Sequence, residues 1–503
     1  MKSTKQSLFY RLMEMVPATL TWVTVILMFV FSSTLPIAVA VFIIFFDTYW
    51  LLKTIYLSLH LRNSFNVLKK NMKIDWKNKL ESDPKTSSKW KNVWHLIVLP
   101  MYDEPYEVVK ETFDGLVKSN YPLDKFIVAL AIEERAGQKA LNVAEKISNE
   151  YGNKFFKFAF TTHPKNLPDE IPGKGSNQAH SVLEVKKNII DPLNIPYEDI
   201  LVSVFDVDTQ VFENYFGILT HTFLTAEHPQ HSSYQPVPLF LNNVYQAPSL
   251  ARIIGFSSTF WHLMQQSRAE KLTTFSSHTV PFKALVEVGF WQKDIVSEDS
   301  RIFWQFYAHF NGDWRAIPLF YSVSMDANAA PTFWRTMLNL YKQQRRWAWG
   351  SENCAFIFSK FKGNKKISFG KKLFWSFHLL EGYHSWATSS LIIFALGWLP
   401  IFLGGQAFQA TLLAYNLPLI TRWIMNLASL GIISSAILSM ALLPPKPAGF
   451  NKMNNVWYFV SWILMPFTLI LFGSIPAIEA QTRLALSGKF RLGFWVTPKH
   501  RQK

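Results

Sequence analysis

The chain has 503 residues, enough for more than one compact unit. Charged residues make up only 17% and aromatic residues 16%, which is typical of a protein that lies partly in lipid. The formal net charge of +16 indicates basic residues held on the cytoplasmic side of a membrane. No recognisable motif supports nucleic-acid binding, and the single cysteine, Cys354, excludes an internal disulfide.

Two apolar stretches, residues 17–31 and 35–57, stand near the beginning of the chain. Spanning a bilayer takes about 20 apolar residues. The second stretch is long enough, and the first is long enough only if flanking residues are included. Basic residues precede and follow the pair: Lys2, Lys5, Arg11, Lys53, Arg62, Lys69 and Lys70. Residues 1–57 therefore predict a transmembrane hairpin with both ends in the cytoplasm.

Residues 58–372 are too polar to span and predict a cytoplasmic domain with interfacial helices. Short apolar runs typical of strands occur at 93–99, 126–132, 155–161 and 200–205. Amphipathic stretches with helical spacing separate them, at 105–118, 138–151 and 178–190. This alternation predicts an α/β domain with a mainly parallel, Rossmann-like sheet. Ligands bind beyond the carboxyl ends of such strands, where this chain places polar residues.

The C-terminal region has strong apolar segments at 373–402, 423–444 and 455–478. Three spans would leave the basic tail, residues 481–503, outside the cell. Counting the weaker stretch 406–420 as a fourth span returns the tail to the cytoplasm, although Lys446 and Lys452 then fall in an outer loop. We therefore expect four spans within residues 373–480.

Asp206 and Asp208 follow the fourth predicted strand. Two carboxylates two residues apart on an extended segment point the same way, and a divalent cation relieves their repulsion. Mg²⁺ or Mn²⁺ suits carboxylates together with substrate phosphates. A turn with solvated acids is the alternative for an isolated Asp-x-Asp.

Lys174 and Asn177 belong to a glycine-containing segment that opens the third predicted helix. Pro168 and Gly175 occupy positions where a phosphate loop needs glycine and Ser or Thr, which excludes that motif. A lysine at a helix N-terminus still favours an anion nearby, and a capped surface turn is the alternative.

Two further polar groups precede the C-terminal spans. Glu298 and Asp299 stand before a predicted helix, either as a favourable N-terminal cap or with Asp299 as a general base. Gln343, Arg346 and Trp347 are spaced to share one helix face, suited to phosphate and sugar contacts or to membrane headgroups.

With these motifs, the chain resembles the membrane-embedded, processive family 2 glycosyltransferases of the cellulose, chitin and hyaluronan synthase type. That family has a D, DxD, TED, QxxRW series on a GT-A domain between transmembrane helices. The matching residues here are Asp206 and Asp208, Ser297-Glu298-Asp299, and Gln343-x-x-Arg346-Trp347. The opening strand and loop resemble residues 99–105, and residues 494–499 fit the FxVTxK gating loop.

The resemblance implies inverting transfer of a hexose or N-acetylhexosamine from a UDP-sugar to a growing polysaccharide. It places the catalytic domain on the cytoplasmic face of the plasma membrane, with possible coupling to export. It implies catalysis by Asp299 with Glu298, Mg²⁺ or Mn²⁺ at Asp206 and Asp208, and acceptor binding by Trp347. The implied nucleotide-sugar ligands are Tyr102, Glu104, Glu133, Glu134, Lys174, Asn177, Asp206, Gln343, Arg346, Thr497 and Lys499.

The chain departs from the family pattern in several places. Glu133 and Glu134 replace the usual aspartates, Ser297 replaces Thr, and residues 275–279 replace the usual acceptor string. The gating-like motif follows the last span. Transfer of one sugar to a lipid-linked acceptor is one alternative function. A nucleotide-sensing membrane transporter is another, but it leaves the ordered carboxylates unexplained.

Overall fold

The computed structural model describes residues 7–447 and 449–501. Lys2 and Lys5 lie outside the described residues, as does the side chain of Lys452. The N-terminal hairpin consists of α1 (Leu8–Thr34) and α2 (Pro36–Asn71). The Ser7 side chain caps α1 by accepting the Tyr10 N–H. Pro36 begins α2 at a position that needs no N–H donor. Both helices are long and apolar enough to cross a membrane.

The domain between the two groups of apolar helices contains an eight-stranded sheet flanked by helices. Its first elements are α3 (Trp76–Ser82), β1 (Trp94–Met101), α4 (Tyr106–Val117), β2 (Phe126–Glu133), α5 (Gly137–Tyr151), β3 (Lys157–His163), α6 (Lys174–Val185) and β4 (Ile200–Val204). The remaining elements are β5 (Gln210–Val211), α7 (Tyr215–Thr225), β6 (Ser232–Leu239), α8 (Ser249–Gln266), β7 (His278–Pro281), α9 (Phe282–Glu287), α10 (Glu298–His309), β8 (Arg315–Ser324), α11 (Phe333–Ala348) and α12 (Glu352–Phe361).

The sheet has the order β3-β2-β1-β4-β7-β6-β8-β5. Strands β1 to β4 pair in parallel, at the positions predicted from their apolar runs. From β1 the chain builds outward through β2 and β3 and then returns to place β4 on the other side. This reversal creates a crevice between the carboxyl ends of β1 and β4, where ligands bind in open α/β sheets.

The second half of the sheet is mixed, so the prediction of a mainly parallel sheet holds only for β1 to β4. Strand β7 pairs antiparallel with β4 and β6, whereas β6 and β8 pair in parallel. Strands β5 to β8 were not predicted from the sequence. Pro236 and Pro238 interrupt β6 and Pro318 interrupts β8, and proline argues against a strand because it cannot donate to the ladder. A register shift accommodates β6 between Gln235 and Val237.

Helices cover both faces of the sheet. Side chains from α4, α5 and α7 pack with Ile97 and Leu99 on one face. Side chains from α6, α9, α10 and α12 pack with Leu96 and Val98 on the other. Because successive strand residues point to opposite faces, burial on both sides accounts for the continuous apolar runs that revealed β1 and β2.

The C-terminal helices differ from the four separate spans that the sequence predicted. Their elements are α13 (Phe369–Phe394), α14 (Leu399–Leu403), α15 (Gly405–Gln409), α16 (Leu412–Leu442), α17 (Lys452–Val460), α18 (Met465–Thr468) and α19 (Ile475–Leu486). The stretches 406–420 and 423–444 are not two spans, because α16 runs through both and accommodates Pro418. Among the described residues, the segments Leu412–Leu442 and Met453–Leu486 qualify as spans, and the bent pair α13–α14 is a further candidate.

Both ends of the segment 453–486 contact the domain. Near its start, the Tyr458 hydroxyl donates to the Val244 carbonyl (3.4 Å). Near its end, Leu484 packs in a cluster with Ala348 and Trp349. The tail that follows α19 therefore begins beside the α/β domain.

The contact between α3 and α7 gives a stability prediction. A Cβ added to Gly217 in α7 would lie 2.7 Å from the Trp76 Cβ, an atom that cannot move without the backbone of α3. We expect Gly217→Ala to destabilise the protein by about 1–3 kcal/mol. Gly370→Ala is the control, since nothing lies within 4 Å of the Cβ built at that position. Thermal unfolding of both variants checks this, and equal midpoints would contradict the tight contact.

Candidate active site

A cluster of carboxylates and lysines occupies the crevice at the carboxyl end of β4. The Lys174 Nζ lies 2.7 Å from Asp206 Oδ1 and 2.9 Å from Asp299 Oδ1. A second lysine, Lys499 from the C-terminal tail, places its Nζ 2.6 Å from Asp208 Oδ2. The structure thus brings together residues from three of the sequence motifs and from the tail.

Glycine allows the helix that carries Lys174 to approach its neighbours. Gly173 precedes α6, and a Cβ there would lie 2.5 Å from the Phe494 ring of the tail. A Cβ at Gly175 would lie 3.0 Å from the Glu298 Cβ at the start of α10. The N-terminus of α6 is therefore held against both α10 and the tail by two positions that admit no side chain without a shift.

Asp206, whose side chain is 30% exposed, lies between cationic groups. Burial alone would raise the pKa of its carboxyl, but the ammonium groups of Lys174 and Lys499 outweigh burial and hold the pKa well below its usual range. Ser276 adds a hydrogen bond by donating to Asp206 Oδ2 (2.8 Å). Asp206 is therefore a carboxylate across the physiological pH range.

Asp208 is fully buried, and its two oxygens have different surroundings. Oδ2 accepts from Lys499 and from the Asp326 backbone N–H (2.9 Å). Oδ1 is buried and finds no hydrogen-bond partner among the described residues. Burial, reinforced by the neighbouring carboxylates of Asp326 and Asp206, raises the pKa of Asp208 despite the contact with Lys499. A buried carboxylate oxygen without a partner lacks one cation or one hydrogen-bond donor.

These carboxylates fit a divalent cation held partly by substrate. Among residues 7–447 and 449–501, no group of three or more His, Cys, Asp or Glu side chains is placed to hold a metal ion. Asp206 and Asp208 can supply two ligands, and Mg²⁺ is commonly bound by one or two carboxylates together with substrate phosphates. The unpartnered Asp208 Oδ1 agrees with that arrangement.

Glu298 and Asp299 begin α10 and differ in their surroundings. The Asp299 carboxylate is partly exposed, and both of its oxygens accept hydrogen bonds from Lys174 Nζ (2.9 and 3.0 Å). Glu298 is buried, and its Oε1 has no partner in the described part of the chain. Burial, with Asp299 next in effect, raises the pKa of Glu298 to about 8. Glu298 is therefore protonated at neutral pH, whereas Asp299 faces the crevice.

His278 lies beside the cluster, although no role was predicted for it from the sequence. This fully buried side chain lies with its Nδ1 3.9 Å from Asp299 Oδ1 and donates from Nδ1 to the Phe275 carbonyl (2.9 Å). Burial lowers its pKa, so the imidazole is neutral. His278 and Ser276 belong to the string at 275–279 that departs from the family pattern, and that departure was the signal for them.

The C-terminal tail crosses the crevice. The Arg346 guanidinium lies over the Phe494 ring (4.8 Å), and Thr497 is buried with its Oγ1 unpartnered among the described residues. Arg501 donates to both oxygens of Asp326 (2.7 and 3.2 Å). Asp326 follows β8, and it was missed because β8 itself was not recognised.

A second group of predicted residues lies at the ends of β1 and β2. Glu104 accepts the Tyr102 N–H (2.7 Å), and burial raises its pKa to about 7. Arg135 binds both oxygens of Glu133 (2.6 and 3.0 Å) and lies over the Tyr102 ring (4.7 Å). A cavity of about 100 Å³ lined by Glu133, Arg135 and His163 opens beside them.

Three predicted residues stand apart from the carboxylate cluster. Glu134 points to the surface, where it accepts the Lys165 N–H (2.9 Å). Asn177 donates to the Ala131 carbonyl of β2 (2.7 Å) beneath the crevice. The Trp347 ring lies 6.4 Å from that of Phe240, in a tilted pair.

Gln343 belongs to the same helix as Arg346 and Trp347. Its Oε1 accepts from Asn328 Nδ2 at 3.4 Å, a long hydrogen bond. The side chain is buried. Gln343 is therefore engaged with the loop after β8 and lies on the helix that carries Arg346 toward the tail.

The chain matches no protein-family model, and no curated protein matches it in sequence. In structure it is similar to the mannosyltransferase PcManGT from Pyrobaculum calidifontis in complex with GDP-Man and Mn2+, with a TM-score of 0.43 and 13% identity over 90% of this chain and 99% of that one. It is also similar to S. aureus TarS 1-349 in complex with UDP-GlcNAc, with a TM-score of 0.37 and 11% identity over 78% and 91% of the two chains. Overlaps this loose assign neither a fold nor an activity to the chain.

The raised pKa of Glu298 predicts a specific pH dependence of stability. Its pKa rises from an ordinary value of 4.5 to about 8, so the folded protein binds a proton that the unfolded chain has released between these values. The free energy of unfolding therefore falls as pH rises through this window. We expect Glu298→Gln to lose less stability than the natural protein over that range.

Thermal unfolding at several pH values between 4.5 and 8 measures this difference. Glu227→Gln serves as the control, because the Glu227 side chain is 86% exposed, whereas that of Glu298 is buried. Identical pH profiles for the natural protein and Glu298→Gln would show that Glu298 does not titrate in this window.

Proposed function

We propose that this protein is an inverting, metal-dependent glycosyltransferase with a GT-A-like catalytic domain. It transfers a hexose or N-acetylhexosamine from a UDP-sugar to a growing glycan at the cytoplasmic face of the plasma membrane. The observation that carries the proposal is the joining of Asp206 and Asp299 by one ammonium, that of Lys174, at the carboxyl ends of parallel strands. In this reaction the bound substrates must reach both the metal-binding carboxylate and the base. The two groups therefore have to lie no further apart than the length of one substrate.

The reaction is a single displacement. A hydroxyl oxygen of the acceptor forms a bond to the anomeric carbon of the donor sugar, and the bond from that carbon to the diphosphate oxygen breaks. The hydroxyl proton passes to the Asp299 carboxylate, and the nucleoside diphosphate leaves with the electron pair. One displacement inverts the configuration at the anomeric carbon, and no covalent enzyme intermediate is required.

The cationic side chains around the crevice suit the leaving diphosphate. Lys174 is buried beside Asp206, the partly exposed Lys499 lies beside Asp208, and Arg346 lies against the tail at the same crevice. A guanidinium binds phosphate oxygens through two parallel hydrogen bonds. These groups hold and orient the diphosphate, and the tail's position over the crevice excludes water from it.

Asp206 and Asp208 would hold Mg²⁺ or Mn²⁺. The ion supplies positive charge to the departing diphosphate when it is bound. The proposal is supported by the unpartnered Asp208 Oδ1 and by the anionic state of Asp206.

The placement at the membrane also has support. Among the described residues, four helices are long and apolar enough to span, and the tail reaches the domain through the contact of Lys499 with Asp208. Production of a polysaccharide and its export are extensions of the proposal.

Replacing the proposed base tests the assignment directly. We expect Asp299→Asn to reduce UDP release by about 10²–10⁴-fold, because an amide cannot take the acceptor proton. The measurement follows release of UDP, or of GDP in the case of GDP-mannose, by purified full-length protein in detergent with UDP-glucose, UDP-GlcNAc, UDP-galactose and GDP-mannose as donors. Asp294→Asn, at an exposed position on the same approach to α10, is the matched control. Undiminished release by Asp299→Asn would exclude Asp299 as the base, and no release from any donor would favour a nucleotide sensor.

Removing the metal gives a second test. We expect a chelator to abolish UDP release and added Mg²⁺ or Mn²⁺ to restore it, because Asp208 is buried beside carboxylates that the cation would neutralise. Asp208→Asn should weaken UDP binding in the presence of metal more than in the presence of chelator, as measured by calorimetry. Equal rates of UDP release with and without chelator would contradict the metal requirement.

A further inference from the structure

An open apolar groove lies between the N-terminal helix α1 and the C-terminal helix α19. It has a volume of about 280 Å³ and is lined by Trp22, Ile475, Ile478, Glu479, Thr482 and Arg483. Trp22 and Ile475 are 44% and 40% exposed. Both helices belong to segments that are long and apolar enough to cross a membrane. The open side of the groove therefore faces the region where lipid chains lie.

One end of the groove carries an excess of positive charge. The Glu479 carboxylate accepts from Tyr341 Oη, Arg345 Nη1 and Arg483 Nε, each at 2.6 Å. Two guanidinium groups share this single carboxylate, which leaves one positive charge unbalanced. The Arg345 Nε is buried and has no partner among the described residues. Guanidinium groups with free donors favour phosphate.

The same helix connects this cationic end to the catalytic crevice. Tyr341 and Arg345 are four residues apart on α11 and face α19. Arg346 is the next residue and turns toward the tail, where it lies over Phe494. A phosphate held by Arg345 would therefore bind the helix that also borders the crevice through Arg346.

We propose that the groove binds the acceptor of the reaction, a glycan carried on an isoprenoid lipid phosphate or diphosphate. The isoprenoid chain lies along Ile475 and Ile478, the phosphate binds Arg345 and Arg483, and the glycan extends along α11 toward the crevice that Arg346 borders. This inference rests on the proposed function. A hydroxyl of the lipid-linked glycan then forms the new bond to the donor's anomeric carbon, its proton passes to Asp299, and UDP leaves.

The chemistry of the groove favours this occupant over an unattached glycan. An unattached polysaccharide is polar and gains nothing by contact with an apolar groove that is open to lipid. An isoprenoid chain, in contrast, is apolar along its length. The unbalanced charge sits at one end only, which matches a molecule with one anionic group and a long neutral tail. An ordinary phospholipid shares the charge but carries no sugar to place beside the crevice.

Native mass spectrometry of the full-length protein in phosphatidylcholine nanodiscs tests the proposal. Polyprenyl phosphate is the probe, and phosphatidylglycerol is the competing anionic lipid. We expect the natural protein to retain polyprenyl phosphate in preference to phosphatidylglycerol. Arg345→Gln/Arg483→Gln should retain it about ten-fold less, because charged hydrogen bonds to the phosphate are lost. Arg335→Gln, which removes an exposed charge from the same helix, should retain it normally.

A second variant keeps the test valid if the double variant misfolds. Ile478→Trp fills the groove without changing charge and should also weaken retention of polyprenyl phosphate. Equal retention of the two anionic lipids, or unchanged retention in both variants, would overturn the proposal. UDP release into water is measured on the same samples. If release is present and lipid retention is unaffected, only the lipid inference fails, whereas absent release from every donor overturns the proposed function.

Discussion

The ion pairs of Lys174 are the interaction on which the candidate site depends. One ammonium holds Asp206 after β4 and Asp299 at the start of α10, two carboxylates that would otherwise repel each other in a buried crevice. Removing one partner from a buried pair is costly because it leaves an uncompensated charge. The glycines beside Lys174 serve this contact, since they let α6 approach α10 and the tail. The sheet topology, the positions of the glycines and the ion pairs therefore all help to place Lys174 between the two carboxylates.

A second, parallel pairing completes the electrostatics. Lys499 neutralises Asp208 while Arg501 binds Asp326, so the tail supplies two cations to two carboxylates at the ends of β4 and β8. Without the tail, these acids would be buried with little compensation. The tail is therefore part of the site's charge balance as well as its cover, and a bound cation and diphosphate would have to redistribute these contacts.

Local pattern predicted the first half of the sheet because β1 to β4 are buried on both faces and separated by amphipathic helices. It missed β6 and β8, whose prolines are tolerated only through a register shift set by tertiary pairing. Residues reached by long-range contact, such as Asp326, carry no local signal. The motif order indicated that Asp206 and Asp299 meet, but no spacing rule indicates that Lys174 bridges them. Likewise, the continuity of α16 through Pro418 depends on packing against α2, which hydropathy does not report.

The tail contacts have a consequence for the order of folding. Lys174 and Asp206 are made long before Lys499, and the apolar helices α13, α16 and α19 are made in between. Lys174 can pair Asp206 and Asp299 without the tail, but Asp208 and Asp326 gain the cations of Lys499 and Arg501 only after α19 has brought the tail to the crevice. The charge balance of the candidate site is thereby completed only when α19, which lies far along the chain, has packed against the domain.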